Sequence, residues 1–190
     1  MWFILALIAL VCWSGSDLFS KIGSKPDDKF SQWKMVVAVG LVMGVHAIVE
    51  IVFFKVPFTF GALWTYLPAS LCYISSMFIG YIGLRYIELS ISSPICNTSG
   101  AMASLFLIIF FTDRAGIESN TQLIMTIIGI VVCALGVTGL GFAEMSEDDE
   151  IRARRQETAN IKYSKSWLAL AIPVIYCFID AAGTVADSFI

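Results

Sequence analysis

Long apolar stretches separated by short polar turns make up most of the chain. Five stretches come before a charged segment and a sixth follows it, and together they cover about 2–22, 32–54, 61–84, 91–111, 121–142 and 167–190. Each is long enough for a helix to cross the hydrocarbon core of a bilayer, which takes about 20 residues. Because the turns are short, consecutive helices are expected to be antiparallel neighbours. The pattern predicts an all-α membrane protein built as a polytopic helix bundle.

The composition supports a chain whose main solvent is lipid. Hydrophobic residues make up 58% of the 190 positions and charged residues 14%, and the mean hydropathy is +0.82. A soluble domain of this size could not remove so much apolar surface from water. The charges show no basic stripe with interleaved aromatic residues, which argues against a nucleic-acid partner. The lipid bilayer is therefore the first expected partner.

The segment 143–166 interrupts the hydrophobic pattern. It carries a run of acidic residues followed by arginines, and acid–base pairs four residues apart predict a short solvated helix. We interpret this segment as a soluble linker between two membrane units. The first unit is 1–142, with five helices, and the second begins with the helix at 167–190.

The sixth stretch is similar to the first. When Trp167 is aligned with Trp2, Cys177 falls on Cys12, and a tract of small polar residues follows in both stretches. A return to the character of the first helix, after five helices and a linker, is the layout of an internal repeat. We expect a five-helix repeat plus one helix of an inverted second repeat. A missing second repeat of four more helices, or a dimer, would complete the bundle.

Basic residues fall mainly on one side of the predicted bundle. With alternating spans, all of the 12 basic residues except Lys55 and Arg114 lie on the side of the linker. The positive-inside rule places that side in the cytoplasm. The expected setting is a bacterial plasma membrane, with the linker 143–166 in the cytoplasm and the N-terminus outside.

Polar residues inside the apolar stretches are the candidate substrate- or proton-binding residues. Asp180 lies deep in the sixth stretch, where an acid faces a cavity or a partner, or makes a structural hydrogen bond. Asp17 is closer to a membrane interface, so it either faces a cavity, reaches towards water or pairs with Lys21. Asn97 belongs to a small polar cluster inside the fourth stretch. The depth of Trp13 favours a cavity wall over an interface anchor.

His46 is a further candidate because it shares a helix face with Glu50, four residues later. Histidine titrates near neutral pH, so this pair is a possible proton relay, with a structural bond to a neighbouring helix as the commoner alternative. Small residues four apart also predict close helix packing, and these pairs are Gly40 with Gly44 and Ser76 with Gly80.

No motif in the chain predicts an enzyme, a metal site or a cofactor. There is no H-E-x-x-H, no glycine-rich phosphate loop and no G-x-S-x-G. The five cysteines form no C-x-x-C pair and lie in apolar stretches, so we interpret them as small free hydrophobic residues. We therefore expect no catalytic residue and no cofactor.

The junction between the third and fourth stretches carries a family resemblance. It contains Tyr81, the pair at 83–84, Tyr86 and a segment of small residues that leads to Pro94. Together with 13–16 and the lysine that closes the first stretch, these residues resemble the drug/metabolite transporter superfamily. The resemblance is to its ten-helix members, which consist of two EamA-type five-helix repeats, and it covers 1–142 and the start of the next repeat. Where the family usually has a second proline, this chain has Asn-Thr-Ser-Gly.

The resemblance implies a secondary transporter of small metabolites that works by alternating access between two inverted repeats around a midplane cavity. It also implies that Asn97 lies beside that cavity. The rival hypothesis is a membrane scaffold or accessory subunit, whose small-residue faces serve only helix packing. A third is an inactive, truncated fragment. Asp180 and Asn97 discriminate between the first two, because a scaffold has no need of them at lipid depth.

Overall fold

Every regular element in the described part of the chain is a helix. The computed structural model describes residues 2–25, 27–145 and 168–190. In order, the elements are α1 Trp2–Gly23, α2 Ser31–Phe53, α3 Phe60–Leu84, α4 Leu89–Cys96, α5 Ser99–Phe110, a 3₁₀ helix Thr112–Arg114, α6 Asn120–Met145 and α7 Leu168–Asp187. Five spans are long and apolar enough to cross a membrane, namely α1, α2, α3, α4 together with α5, and α6. The prediction of an all-helical chain is confirmed for the described residues, and five of its spans have the length and apolar character that crossing a membrane requires.

The predicted linker at 143–166 falls almost entirely outside the described residues. Its first three positions, 143–145, complete α6, and nothing further of the linker is described. The helix predicted from Trp167 onwards is α7, which is 20 residues long.

Polar residues in the turns define where two of the helices begin. Before α2, the Phe30 backbone N–H donates to Asp28 Oδ1 at 3.0 Å, and Lys34 Nζ contacts Asp28 Oδ2 at 2.6 Å. The hydrogen bond from Lys34 holds the pKa of the Asp28 carboxyl below its ordinary value. Before α6, Ser119 Oγ accepts from the Gln122 N–H at 3.3 Å while Gln122 Oε1 accepts from the Ser119 N–H at 3.2 Å. This reciprocal pair is a capping box, which satisfies otherwise unpaired donors of the first turn.

The helix α3 is the centre of the bundle, and α7 makes the most extensive helix–helix contact in the described chain by packing on it. Facing residues run in opposite directions along the two helices, so α3 and α7 are antiparallel. A Cβ built on Gly80 would lie 3.1 Å from the Tyr176 ring, and Ser76 Oγ donates to Asp180 Oδ1 at 3.1 Å. The predicted packing face of Ser76 and Gly80 is therefore confirmed.

The small residues of the outer helices α2 and α6 do not pack against neighbouring helices in the described chain. None of the most apolar window of α2 or α6 is buried, whereas 28% of that window is buried in α3. No described atom outside its own helix lies within 4 Å of a Cβ built on Gly40 or Gly44, so this pair makes no close helix contact in the described chain. The apolar faces of α2 and α6 are suited to lipid, whose tails are as apolar as the side chains.

Candidate functional site

A cavity of about 110 Å³, with several polar groups in a largely apolar wall, lies where α1, α3, α4 and α7 meet. Its wall contains one carboxylate, four serine hydroxyls and three aromatic rings with a polar atom, from Asp17, Ser16, Ser20, Ser92, Ser93, Trp13, Tyr81 and Tyr176. One water needs about 10–15 Å³ of such space, so the cavity has room for several waters or for a group of a few atoms. Its described wall contains no basic side chain.

Four side chains form a hydrogen-bonded cluster at this cavity. Ser93 Oγ donates to Asp17 Oδ2. The Asn97 amide donates to Ser93 Oγ at 3.0 Å and, at the longer distance of 3.5 Å, to Asp17 Oδ2. Trp13 Nε1 donates to Asn97 Oδ1 at 3.0 Å. The structure thus brings together Trp13, Asp17 and Asn97, three of the residues singled out from sequence, from two different spans.

The fourth span is two helices rather than the single helix that the hydrophobic pattern predicts over 91–111. The interruption lies at Asn97 and Thr98. Pro94 has no N–H for the helical ladder. The Ile95 carbonyl accepts from both the Thr98 N–H at 3.1 Å and Thr98 Oγ1 at 2.6 Å. A hydroxyl that bonds the preceding turn in this way competes with the helical pattern, which explains why α4 ends here.

The interruption directs two neighbouring side chains to different helices. Asn97 reaches α1 through Trp13, whereas the Thr98 hydroxyl lies 3.3 Å from Cys177 Sγ on α7. Cys177 is 1% exposed, and its thiol donates to the Ile95 carbonyl at 3.0 Å. Irregular backbone at membrane depth is tolerated where it is buried in protein or lines a cavity. The interruption at Asn97 and Thr98 is covered by α7 on one side and faces the polar cluster on the α1 side.

Asp180 lies beside the cavity rather than in its wall. Its carboxylate accepts from Ser76 Oγ at 3.1 Å, and Ser76 is fully buried. Tyr176, one turn earlier on α7, belongs to the cavity wall. The structure therefore places Asp180 next to the cluster but does not join it to that cluster.

His46 is not brought to this site. Its Nε2 lies 3.5 Å from Glu50 Oε1 on the same helix, and its side chain is 74% exposed. The wall of the cavity contains no residue of α2 in the described chain. The predicted pairing of these two side chains is present, but it lies on an outer helix face.

A polar network joins α1 to the end of α3 beyond the cavity. Lys21 Nζ donates to the carbonyls of Leu84 at 2.7 Å and Ile87 at 3.1 Å. Arg85 is 8% exposed and donates to Gln32 Oε1 at 3.0 Å. A cation at carbonyls near a helix C-terminus is favourable because these groups carry partial negative charge. We call Lys21, Arg85 and Gln32, with the carbonyls they contact, the closing network.

The site uses residues that sequence reasoning did not single out. Ser93 completes the cluster, Tyr176 lines the cavity, and Cys177 seals the interruption. Ser93 had a signal, since it lies among small hydroxyl residues directly before a proline. Tyr176 and Cys177 had none, because a tyrosine and a cysteine in an apolar helix are usually packing residues.

The described residues contain no group of three His, Cys, Asp or Glu side chains that could hold a metal ion. The side chains of the cluster offer hydrogen bonding and charge through a carboxylate, a hydroxyl, an amide and an indole N–H. Comparison with protein-family models, curated proteins and solved structures finds no match to the chain.

Proposed function

We propose that the protein is a secondary transporter that moves small metabolites across a membrane by alternating access. The observation that carries this proposal is the cluster of Trp13, Asp17, Ser93 and Asn97 around a cavity between apolar helices. Polar and ionisable side chains at such depth are costly, so they are retained where they bind a substrate or an ion. An interrupted helix beside the cavity is also a common feature of transporter binding sites.

The wall of the cavity favours some substrates over others. Asp17 supplies negative charge, and no basic side chain lies in the described wall to balance an anion. A neutral or positively charged part of a small metabolite therefore suits the cavity better than a phosphate or a carboxylate, because like charges repel strongly at low dielectric.

The proposed architecture is an EamA-like five-helix repeat followed by the first helix of an inverted second repeat. Its support is the similarity of α7 to α1 in sequence, together with the position of both helices beside the same interruption. In this proposal the two repeats rock about the cavity. The bias of basic residues towards the linker side supports a cytoplasmic linker in a bacterial plasma membrane.

Asp17→Asn tests the proposal because asparagine keeps the shape and an acceptor oxygen while it removes the charge. Cells that produce the wild-type chain, Asp17→Asn or His46→Gln are compared by mass spectrometry of small metabolites inside and outside the cell. The expected result is that the distribution of at least one metabolite between cell and medium is the same for the wild-type chain and His46→Gln. That distribution should differ in cells with Asp17→Asn at equal membrane abundance.

Identical metabolite profiles for the wild-type chain and Asp17→Asn, with both chains present in the membrane, would refute transport through this site. That result would favour the scaffold or accessory-subunit hypothesis, in which the small-residue faces of α2 and α6 serve packing alone.

A further inference from the structure

A row of polar contacts follows the interface between α3 and α7. Tyr73 Oη donates to Thr184 Oγ1 at 3.4 Å, and Ser76 Oγ donates to Asp180 Oδ1 at 3.1 Å. The Tyr73 ring can cross to α7 because position 183 is glycine, where an added Cβ would lie 3.2 Å from that ring. These pairs stand about one helical turn apart on each helix.

The row extends in both directions along α7. One turn beyond Thr184, the exposed Asp187 interacts with the Tyr66 phenol of α3. One turn before Asp180, Tyr176 lines the cavity. We call the groups Tyr66, Asp187, Tyr73, Thr184, Ser76, Asp180 and Tyr176 the interface row.

The interface row covers about half of the bilayer. Asp187 and Tyr176 are 11 positions apart on one helix, which is about 16 Å at 1.5 Å per residue, against about 30 Å for the hydrocarbon core. Asp187 is the last residue of α7, and the carbonyl of the next residue, Ser188, accepts from Arg114 in the turn between α5 and α6. The row therefore leads from the end of the bundle opposite the linker to the cavity.

We propose that the interface row is a proton pathway between that membrane surface and the cavity, with Asp180 as the residue that holds the proton beside the cavity. The inference rests on the proposed transport function and names the proton as its coupling ion. In each step a proton leaves one carboxyl, hydroxyl or water oxygen and binds the next, so no electron donor or acceptor is required.

The spacing of the row is short enough for stepwise transfer. Successive groups on α7 are about 5.4 Å apart along the axis, with polar side chains of α3 facing them, and two hydrogen bonds of about 2.8 Å that share one oxygen span the same distance. A helix interface that served only for packing would gain little from a carboxylate, since apolar or small side chains pack there at lower cost.

The closing network lies on the linker side of the cavity, away from the Asp187 end of the interface row. Between the cavity and the linker side, Lys21 and Arg85 bond α1 and α2 to the end of α3 through the closing network. The interface row reaches Asp180 from the opposite surface, so in the proposed pathway the proton enters from one side of the membrane. Access from one side at a time is what alternating access requires.

Asp180 has ionisable neighbours on α7, α4 and α3 in the described chain. Tyr176 and Cys177 on its own helix and Cys96 on α4 have electrostatic contact with its carboxylate, and Tyr73 of the row lies one turn away on α3. Asp17 on α1 shares two of these neighbours, Tyr176 and Cys96. The helix α5, which also packs on α7, contains no ionisable residue.

Infrared difference spectroscopy of the full chain in lipid membranes tests the pathway, with protons and deuterons in the bathing buffer as the probe. A step in pH is expected to produce a protonated-carboxyl band that Asp180→Asn removes, while the asparagine still accepts from Ser76. Tyr73→Phe keeps the ring and removes its hydroxyl. This change removes one hydrogen-bonded step of the row, so the exchange of the band in D₂O is expected to slow about tenfold.

Tyr86→Phe is the matched control, because it makes the same chemical change at the end of α3 away from the row and should leave the exchange rate unchanged. A band that survives Asp180→Asn, or equal exchange rates in Tyr73→Phe and the wild-type chain, would overturn the pathway. The Asp17→Asn metabolite comparison is a separate readout. If Asp17→Asn and the wild-type chain gave the same metabolite profile while the Asp180 band behaved as expected, transport would be refuted and proton access to Asp180 retained. If the metabolite profiles differed as expected but the Asp180 band did not, only the pathway would be refuted.

Discussion

Replacing Gly183 by alanine tests how closely α3 and α7 pack. A Cβ at this position would lie 3.1 Å from Cys72 Cβ and 3.2 Å from two atoms of the Tyr73 ring. The Cys72 Cβ is bonded directly to the backbone, so no rotation of a side chain can move it away. The helices must therefore separate by a few tenths of an ångström, or the Tyr73 ring must turn away from Thr184.

The expected magnitude comes from two opposing effects. Forcing an extra methyl group into a packed interface costs about 1–3 kcal/mol. Replacing a glycine inside a helix by alanine stabilises the helix by about 0.5–1 kcal/mol. Gly129→Ala on α6 is the matched control, because no described atom outside its own helix lies within 4 Å of its built Cβ. The propensity gain is common to both variants, so their difference reports the packing cost of about 1–3 kcal/mol.

Equilibrium unfolding of the purified chain in mixed micelles measures this difference. Gly129→Ala is expected to be as stable as the wild-type chain or slightly more stable, and Gly183→Ala is expected to be less stable than Gly129→Ala. If Gly183→Ala matched Gly129→Ala in free energy of unfolding, the close approach of α3 and α7 at this position would be wrong.

Two further predictions concern the turn before α2 and the cavity. The hydrogen bond from Lys34 lowers the pKa of Asp28, so its contribution to stability is present above the ordinary aspartate pKa and is lost as the pH falls through the lowered value. Asp28→Asn is therefore expected to lower the unfolding midpoint near neutral pH and to match the wild-type chain in strong acid; an equal difference at both pH values would contradict this. Asn97→Ala removes the acceptor of the Trp13 N–H and is expected to shift the tryptophan emission. The shift should vanish in a Trp13→Phe background, and its persistence there would show that Trp13 is not the reporter.

Sequence reasoning singled out three members of the cluster because polar residues in apolar spans have few explanations. Trp13 and Asp17 lie in the polar half of an otherwise apolar helix, and Asn97 lies in a polar cluster of another, so the cost of exposing them to lipid made each a candidate for a cavity. The structure joins these three residues. Sequence alone could not place His46, since the apolar residues of α2 surround the helix and leave no phase that distinguishes an inner from an outer face.

The interruption at Asn97 and Thr98 depends on contacts that no local pattern contains. Asn97 bonds a residue 84 positions away, and Thr98 contacts one 79 positions away. An apolar run of this length predicts one continuous helix by hydropathy, and only the partners on α1 and α7 favour ending it early. The hydrogen bond between Ser76 and Asp180 joins residues 104 positions apart, so the sequence could not predict the partner of Asp180 either.

The exposure of the cluster distinguishes the two hypotheses about the bundle. Trp13 is 55% exposed in the described chain, and Asn97 is also exposed, so the α1 side of the interruption is open while Cys177 covers its α7 side. Lipid cannot satisfy an amide or a carboxylate, so this open side suits water or further protein. Under the transport proposal, further protein covers it and the cavity opens to either surface in turn. Under the scaffold hypothesis lipid would lie against the cluster. Replacing Asp17 by an apolar residue would then raise the stability of the protein, because no transport function would require the carboxylate.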